Sequence, residues 1–225
     1  MLKIIKAVIF DLDGTLLNRD ASVQKFIDNQ YDRLKEWLGF IPKENYISRF
    51  IELDSRGYVW KDKVYQQMVD EFSIDEISWE ELLQDYTEEF HKSCIPYPNL
   101  HSMLTELKNS SIRLGIITNG REQFQMDNIR ALGIENYFET ILISESEGIK
   151  KPNPTIFKKA LSQINVLAND GMYVGDHPEN DVKGAKSIGM IGVWKKDRQW
   201  GHVDSDFIIE DLCELPLIIY EINIK

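Results

Sequence analysis

Along the chain the spacing of apolar positions changes twice. An apolar run near the start, Ile4-Ile5 and Ala7-Val8-Ile9-Phe10, ends at the polar group Asp11-Leu12-Asp13-Gly14-Thr15. That reads as a buried strand over about 4–10 followed by a turn. The next stretch, to residue 95, carries no strand signal and is rich in Glu, Lys, Gln, Trp and Tyr. In it, apolar residues recur at helical spacing. Phe26, Tyr31, Leu34, Trp37 and Leu38 form one such series, and others run from Tyr46 to Leu53, from Val64 to Phe72 and from Trp79 to Phe90. Four short helices are predicted. Ile95-Pro96-Tyr97-Pro98 closes the block, because two prolines so close cannot continue a helix.

After Pro98 the rhythm alternates. Predicted helices over about 99–109, 121–132, 154–163 and 179–188 are interleaved with predicted strands over 112–117, 140–143, 171–175 and 190–194. Each strand is nearly all apolar, which is the mark of a parallel sheet covered on both faces. The first strand shares that character and belongs with them. The fold expected is therefore α/β, a Rossmann-like parallel sheet with helices on both faces (1–16 and 96–225), interrupted by an inserted helical bundle (17–95).

Composition narrows the function. With 26 basic and 37 acidic side chains the net charge is −11, which argues against a nucleic-acid or anionic-membrane binder, since both need a positive surface. Apolar residues at 43% and charged residues at 28% suit a soluble globular chain. No apolar run approaches the roughly 20 residues that span a bilayer. The run from Met1 to Phe10 resembles a short signal peptide, but Lys6 interrupts it and no small-residue cleavage site precedes Asp11. Cys94 and Cys213 show no metal-binding spacing and read as reduced, buried thiols. A cytoplasmic protein is expected.

In open parallel sheets, functional groups gather where strands end at their C-terminal edge. The first strand runs into Asp11 and Asp13, the second into Thr118-Asn119-Gly120, the third through a short loop into Lys150-Lys151-Pro152. The fourth leads into Asp176-His177-Pro178-Glu179-Asn180-Asp181. Every one of these ends offers a chemically capable side chain. Asp11 and Asp13 lie two apart, so on extended backbone they emerge on one side, and such a pair repels itself unless a cation or proton intervenes. Asp176 and Asp181 add two more acids. An oxygen-only donor set suits Mg²⁺, and the absence of a Cys or His cluster disfavours zinc. An EF-hand loop also begins Asp-x-Asp, but it needs glycine at its sixth position and Gly14 is fourth. Asp11 and Asp13 merely capping a turn is the bland alternative. Asp-x-Asp-Gly-Thr arises by chance in roughly one chain of this length in several hundred.

The segments Phe10-Asp11-Leu12-Asp13-Gly14-Thr15-Leu16, Thr118-Asn119-Gly120, Lys151-Pro152 and Gly175-Asp176-His177-Pro178-Glu179-Asn180-Asp181 resemble, in order, the four motifs of the haloacid dehalogenase superfamily. The insert is similar, more loosely, to the helical cap of its phosphoglycolate phosphatase-like and nucleotidase-like members. The resemblance implies a nucleophile at Asp11 that forms an aspartyl phosphate, and an acid and base at Asp13. It implies Mg²⁺ held by Asp11, the Asp13 main-chain carbonyl and Asp176, with Asp181 ligating or supporting. Gly14, Thr118, Asn119 and Lys151 would bind the phosphoryl group, Lys151 also neutralising charge in the transition state. Lys150 and Asn180 receive no catalytic role, His177 reads as a loop-shaping side chain, and the tryptophans read as packing.

Asp13 also narrows the reaction within the resemblance, because dehalogenating and phosphonate-cleaving members lack an acid there. Hydrolysis of a small phosphorylated metabolite is expected, with a phosphosugar mutase as the alternative that uses the same residues. A non-catalytic phospholigand-binding protein is a third reading, and it predicts a lost site residue where none is lost. Specificity would fall to the insert. There Phe50 to Trp60 mixes charge and aromatics around Gly57, with Arg56 either gripping an anionic part of the substrate or facing solvent from an ordinary turn. A monomer or homodimer is expected.

Overall fold

The computed structural model describes residues 4–224, so the whole of the predicted opening strand lies within it, and only the first three residues of the run that resembles a signal peptide fall outside. The chain divides into two compact units, Met1–Asn18 with Pro96–Lys225, and Arg19–Ile95.

The first unit is a six-stranded sheet of β1 (Ala7–Phe10), β2 (Arg113–Thr118), β3 (Thr140–Ile143), β4 (Gly171–Gly175), β5 (Ile191–Lys195) and β6 (Phe207–Ile209), in the order β3-β2-β1-β4-β5-β6. Every pairing is parallel. Successive parallel strands need crossovers, and the helices Glu122–Ala131 and Pro154–Gln163 lie in those from β2 to β3 and from β3 to β4. All four residues of β1 are buried, as a central strand requires. On one face Ala7, Ile9 and Tyr173 pack with Ile156 and Phe157 of the helix, the Phe157 and Tyr173 rings meeting edge-on at 5.1 Å. The chain leaves β1 towards β2 and β3, then returns to its other side for β4 to β6. The carboxyl ends of β1, β2 and β4 therefore adjoin at the switch point, where ligands bind in such sheets.

Three local departures from expectation have physical causes. The strand begins at Ala7 rather than Ile4, because Ile4 is exposed and the Ile5 amide turns to the Asn223 side chain at 2.7 Å. The helix expected from 179 is instead a wide turn over Pro178–Lys183, in which the Val182 amide reaches back to the His177 carbonyl, before Gly184–Lys186 completes it. The edge strand β6 and the helix Glu214–Asn223 have no counterpart in the sequence reading. The strand is only three residues long and is not uniformly buried, and the helix carries Pro216 in its first turn and leaves Leu217 and Tyr220 exposed.

The second unit contains the helices Arg19–Arg33, Lys43–Asp54, Lys61–Phe72 and Trp79–Glu89, with the single turn Lys35–Leu38 after the first. The first predicted helix breaks at Leu34. Ser78 starts the fourth with a reciprocal cap, its hydroxyl accepting from the Glu81 amide while Glu81 accepts from the Ser78 amide. The core is aromatic. Phe26 meets Tyr86 at 5.0 Å, and Phe50 meets Tyr65 at 5.3 Å. Neither cysteine is buried as expected: Cys94 is half-buried and Cys213, just before the last helix, is exposed. Trp194 is buried, but Trp60 lies 71% exposed, so it does no packing work. Among the described residues no helix is long and apolar enough to cross a membrane.

Candidate active site

The site is built at the carboxyl ends of β1, β2 and β4. The Asp11 amide continues the ladder to Val174 O at 2.9 Å, which fixes Asp11 as the first residue beyond β1. The chain then turns sharply, the Leu12 carbonyl accepting from the Leu16 and Leu17 amides, both at 2.9 Å. Gly14 stands in that turn at φ 81°, and a Cβ there would lie 2.4 Å from Asp176 Oδ2. Glycine is required by the backbone and by the carboxylate packed on it.

Lys151 gathers the charged groups. Its ammonium is buried and donates to Asp11 Oδ1 at 2.6 Å, to Asp181 Oδ1 at 2.6 Å and to the Tyr173 hydroxyl at 2.9 Å. Tyr173 passes its own hydrogen to the Ile117 carbonyl at 3.1 Å. Asp181 is also held by the His177 amide at 3.0 Å, a contact the wide turn creates. Asp176 follows β4, its main-chain carbonyl accepting from Trp194 Nε1 at 2.8 Å. Asp11, Asp176 and Asp181 each bring a carboxylate oxygen to within 4.8 Å of the others.

Three acids facing one ammonium leave an excess of negative charge. Burial raises the Asp11 carboxyl to about 7, with Lys151 opposing and Asp181 and Asp13 adding to the rise. Asp176 is raised by burial, then by Asp11 and Asp181. Burial would lower Lys151, but Asp11 and Asp181 outweigh it and hold the ammonium well above its ordinary range. Carboxylates resisting ionisation in this way are what a hard cation relieves, and an all-oxygen donor set at this spacing fits Mg²⁺.

Asp13 is placed apart. Its Oδ2 accepts from Gln125 Nε2 at 2.7 Å, and the same nitrogen donates to Thr118 Oγ1 at 2.7 Å. The Asp13 side chain is not among the three grouped carboxylates. The Asn119 side chain clamps the main chain of Lys151: its Oδ1 accepts from Lys151 N at 2.9 Å and its Nδ2 donates to Lys151 O at 3.1 Å. That bond pair fixes the main chain of Lys151 against the end of β2. His177 shapes its loop, Nδ1 accepting from the Glu179 and Asn180 amides. Lys150 is exposed. Arg56 belongs to the helical unit, in a left-handed conformation (φ 56°) and paired with Asp20 at 3.0 Å.

Two residues of the cluster escaped the sequence reading. Tyr173 is the one aromatic side chain in β4, a signal that was visible. Gln125 lies in the first turn of the helix after Thr118-Asn119-Gly120 and looks like any polar helical residue.

The pattern described as haloacid dehalogenase-like hydrolase matches residues 8–194. A glyceraldehyde 3-phosphate phosphatase of Pyrococcus abyssi is 46% identical over 99 residues, which are 44% of this chain and 42% of that relative. The alignment thus spans less than half of it. A protein of the same name from Methanocaldococcus jannaschii is 28% identical over 232 residues, covering 96% of this chain and 97% of the relative. Among solved structures, a haloacid dehalogenase-type phosphatase from Thermococcus onnurineus is similar with a TM-score of 0.68 and 29% identity, over 96% of this chain and 98% of that one.

Proposed function

Since the chain belongs to the haloacid dehalogenase-like hydrolases, we propose that it hydrolyses a small phosphomonoester through an aspartyl phosphate on Asp11. One observation carries this reading. Two carboxylates only two residues apart sit in opposite environments, Asp11 against the Lys151 ammonium and Asp13 against the neutral amide of Gln125. Separated environments are how one site keeps a nucleophile and an acid–base group distinct.

Asp11 Oδ1 is engaged by Lys151, whereas Oδ2 has only a long contact of 3.4 Å from the Thr15 hydroxyl. The oxygen pair is anchored at one end and open for attack on phosphorus at the other. Asp13 protonates the departing alkoxide, then takes a proton from the water that attacks the acyl phosphate and regenerates Asp11. The Lys151 ammonium and the Thr118 hydroxyl face charge developing on the phosphoryl oxygens. Asp11, Asp176 and the Asp13 carbonyl would hold Mg²⁺, with Asp181 in support, and the bound ion would offset repulsion between nucleophile and substrate. The names of the relatives make glyceraldehyde 3-phosphate the first substrate to test. A cytoplasmic setting suits two cysteines that form no disulfide.

The test is phosphate release by the purified protein with Mg²⁺, together with acid-quench trapping of a labelled phosphoenzyme. Asp11→Asn should lower turnover by at least about a thousandfold and abolish the trapped species. Its circular dichroism spectrum should be unchanged. Turnover retained in Asp11→Asn would overturn the covalent route.

A further inference from the structure

Gln125 is almost wholly buried, at 2% exposure, and its hydrogen bonds are unusual for a core amide. The amide orientation follows from its partners. Asn128 Nδ2 donates to Gln125 Oε1 at 3.3 Å, so the oxygen is occupied by a donor. The nitrogen then faces the Asp13 carboxylate, which can only accept when ionised, and Thr118 Oγ1, both at 2.7 Å. A primary amide has two hydrogens, and these two short contacts use them. Its third neighbour, the Asn119 carbonyl at 3.5 Å, is at the limit of bonding. Gly120 makes the room: a Cβ there would stand 2.9 Å from Gln125 Cγ.

Two consequences follow for the reacting groups. Thr118 Oγ1 accepts from Gln125, so its own hydrogen is turned elsewhere, and among the described residues no acceptor takes it. Asp13 Oδ2 is occupied by an N–H donor, which leaves Oδ1 as the oxygen open for proton transfer. We propose that Gln125 is a positioning residue that sets both groups with one amide, pointing the Thr118 hydroxyl proton at the phosphoryl group and reserving Asp13 Oδ1 for proton transfer. The inference rests on the phosphatase reading, and it adds to that reading the device that gives each group its direction.

The decisive variant is Gln125→Met, which keeps length and loses both donors. Proton donation matters most for a poor leaving group. Turnover of an alkyl phosphate such as glycerol phosphate should therefore fall about a hundredfold, and turnover of p-nitrophenyl phosphate about tenfold. The ratio between the two substrates is the readout, because a merely structural loss lowers both alike. With p-nitrophenyl phosphate, whose departure needs little acid help, acid quenching should also trap a larger phosphoenzyme fraction, since Asp13 is the base of the second step. In an Asp13→Asn background, Gln125→Met should no longer move the ratio. Should Gln125→Met fail to fold, Gln125→Glu keeps the size and the Asn128 bond while replacing the donor, and the same ratio change is expected. Equal losses on both substrates, or an undiminished effect in the Asp13→Asn background, would overturn the positioning role while leaving the phosphatase intact. A wild-type protein that releases no phosphate from any phosphomonoester would instead bring down the underlying reading and this inference with it.

Discussion

In the helical unit, Gln30 accepts from the Tyr46 and Tyr65 hydroxyls and donates to the Leu82 carbonyl and Asp85, so every arm of its amide ends on a group whose role is to hold helices together. In the α/β unit, Gln125 ends on an acid and a hydroxyl at the edge of the sheet. The charges divide in the same way. Buried Asp54 of the helical unit has two cationic partners, Arg19 at 3.0 Å and Lys61. Among the described residues, the group of Asp11, Asp176 and Asp181 has one ion-paired cation, Lys151, which bonds two of the three. A buried acid with surplus cations is a finished structural element. Two buried acids and a half-buried third sharing one ion-paired ammonium are not, and they require a proton or a further cation. Buried polarity in itself therefore does not mark a site in this protein; polarity left uncompensated does.

The contrast breaks most visibly at Gln30. Gln30→Leu leaves two tyrosine hydroxyls and the Leu82 carbonyl without this partner in a buried setting, at a cost of about 3 kcal/mol. A fall in melting temperature of roughly 6–12 °C should follow. Turnover of p-nitrophenyl phosphate per folded molecule should stay within about twofold of wild type, as for a change outside the reacting groups. If its turnover fell as far as that of Asp11→Asn, the helical network could not be treated as structural only.

The same contrast explains which parts were legible in the sequence. The α/β class is visible because buried parallel strands must be nearly all apolar, and β1, β2 and β4 are. Asp11, Thr118, Lys151, Asp176 and Asp181 are visible because each follows such a strand, and the fold then brings three acids and the lysine together. What was not legible depends on side-chain direction. Nothing in Thr118-Asn119-Gly120 says that the Asn119 amide turns back onto Lys151, or that Gln125 reaches Asp13, from which it is 112 positions distant. β6 was invisible for another reason, since three residues without uniform burial carry no period.

Uncompensated acids also predict a pH dependence. Burial first, then neighbouring carboxylates, raise Asp11 to about 7 and raise Asp176 as well. The folded protein therefore binds more protons than the unfolded chain between the ordinary carboxylate range and about 7, and stability must fall as pH rises through that window. Lys151, raised above its usual range, stays protonated throughout and does not offset this. With EDTA present, the melting temperature should drop by several degrees between pH 5 and pH 8, and the slope should be shallower in Asp11→Asn. Adding Mg²⁺ should restore stability, increasingly so at higher pH because the ligands must be deprotonated. A flat profile in EDTA would mean that the acids are already compensated, as Asp54 is.

The smallest effect is expected at Arg56 and Trp60 of the helical unit, and it sharpens the comparison from the other side. The Arg56–Asp20 pair joins a half-buried arginine to an exposed acid and contributes less than about 1 kcal/mol. Trp60 packs little of its ring, so Arg56→Ala and Trp60→Ala should leave the melting temperature nearly unchanged. Any kinetic effect would then report on substrate and not on folding. We expect KM to shift by a few-fold, and differently for different phosphomonoesters, with p-nitrophenyl phosphate nearly indifferent because it offers little beyond the phosphoryl group. Lys151→Met should damage every substrate, since its proposed partner is the phosphoryl group common to all. A uniform loss across the panel in the Arg56 and Trp60 variants would show that the helical unit acts on chemistry rather than selection. No change with any substrate would reduce Arg56 to the solvated turn residue that its pairing with Asp20 also describes.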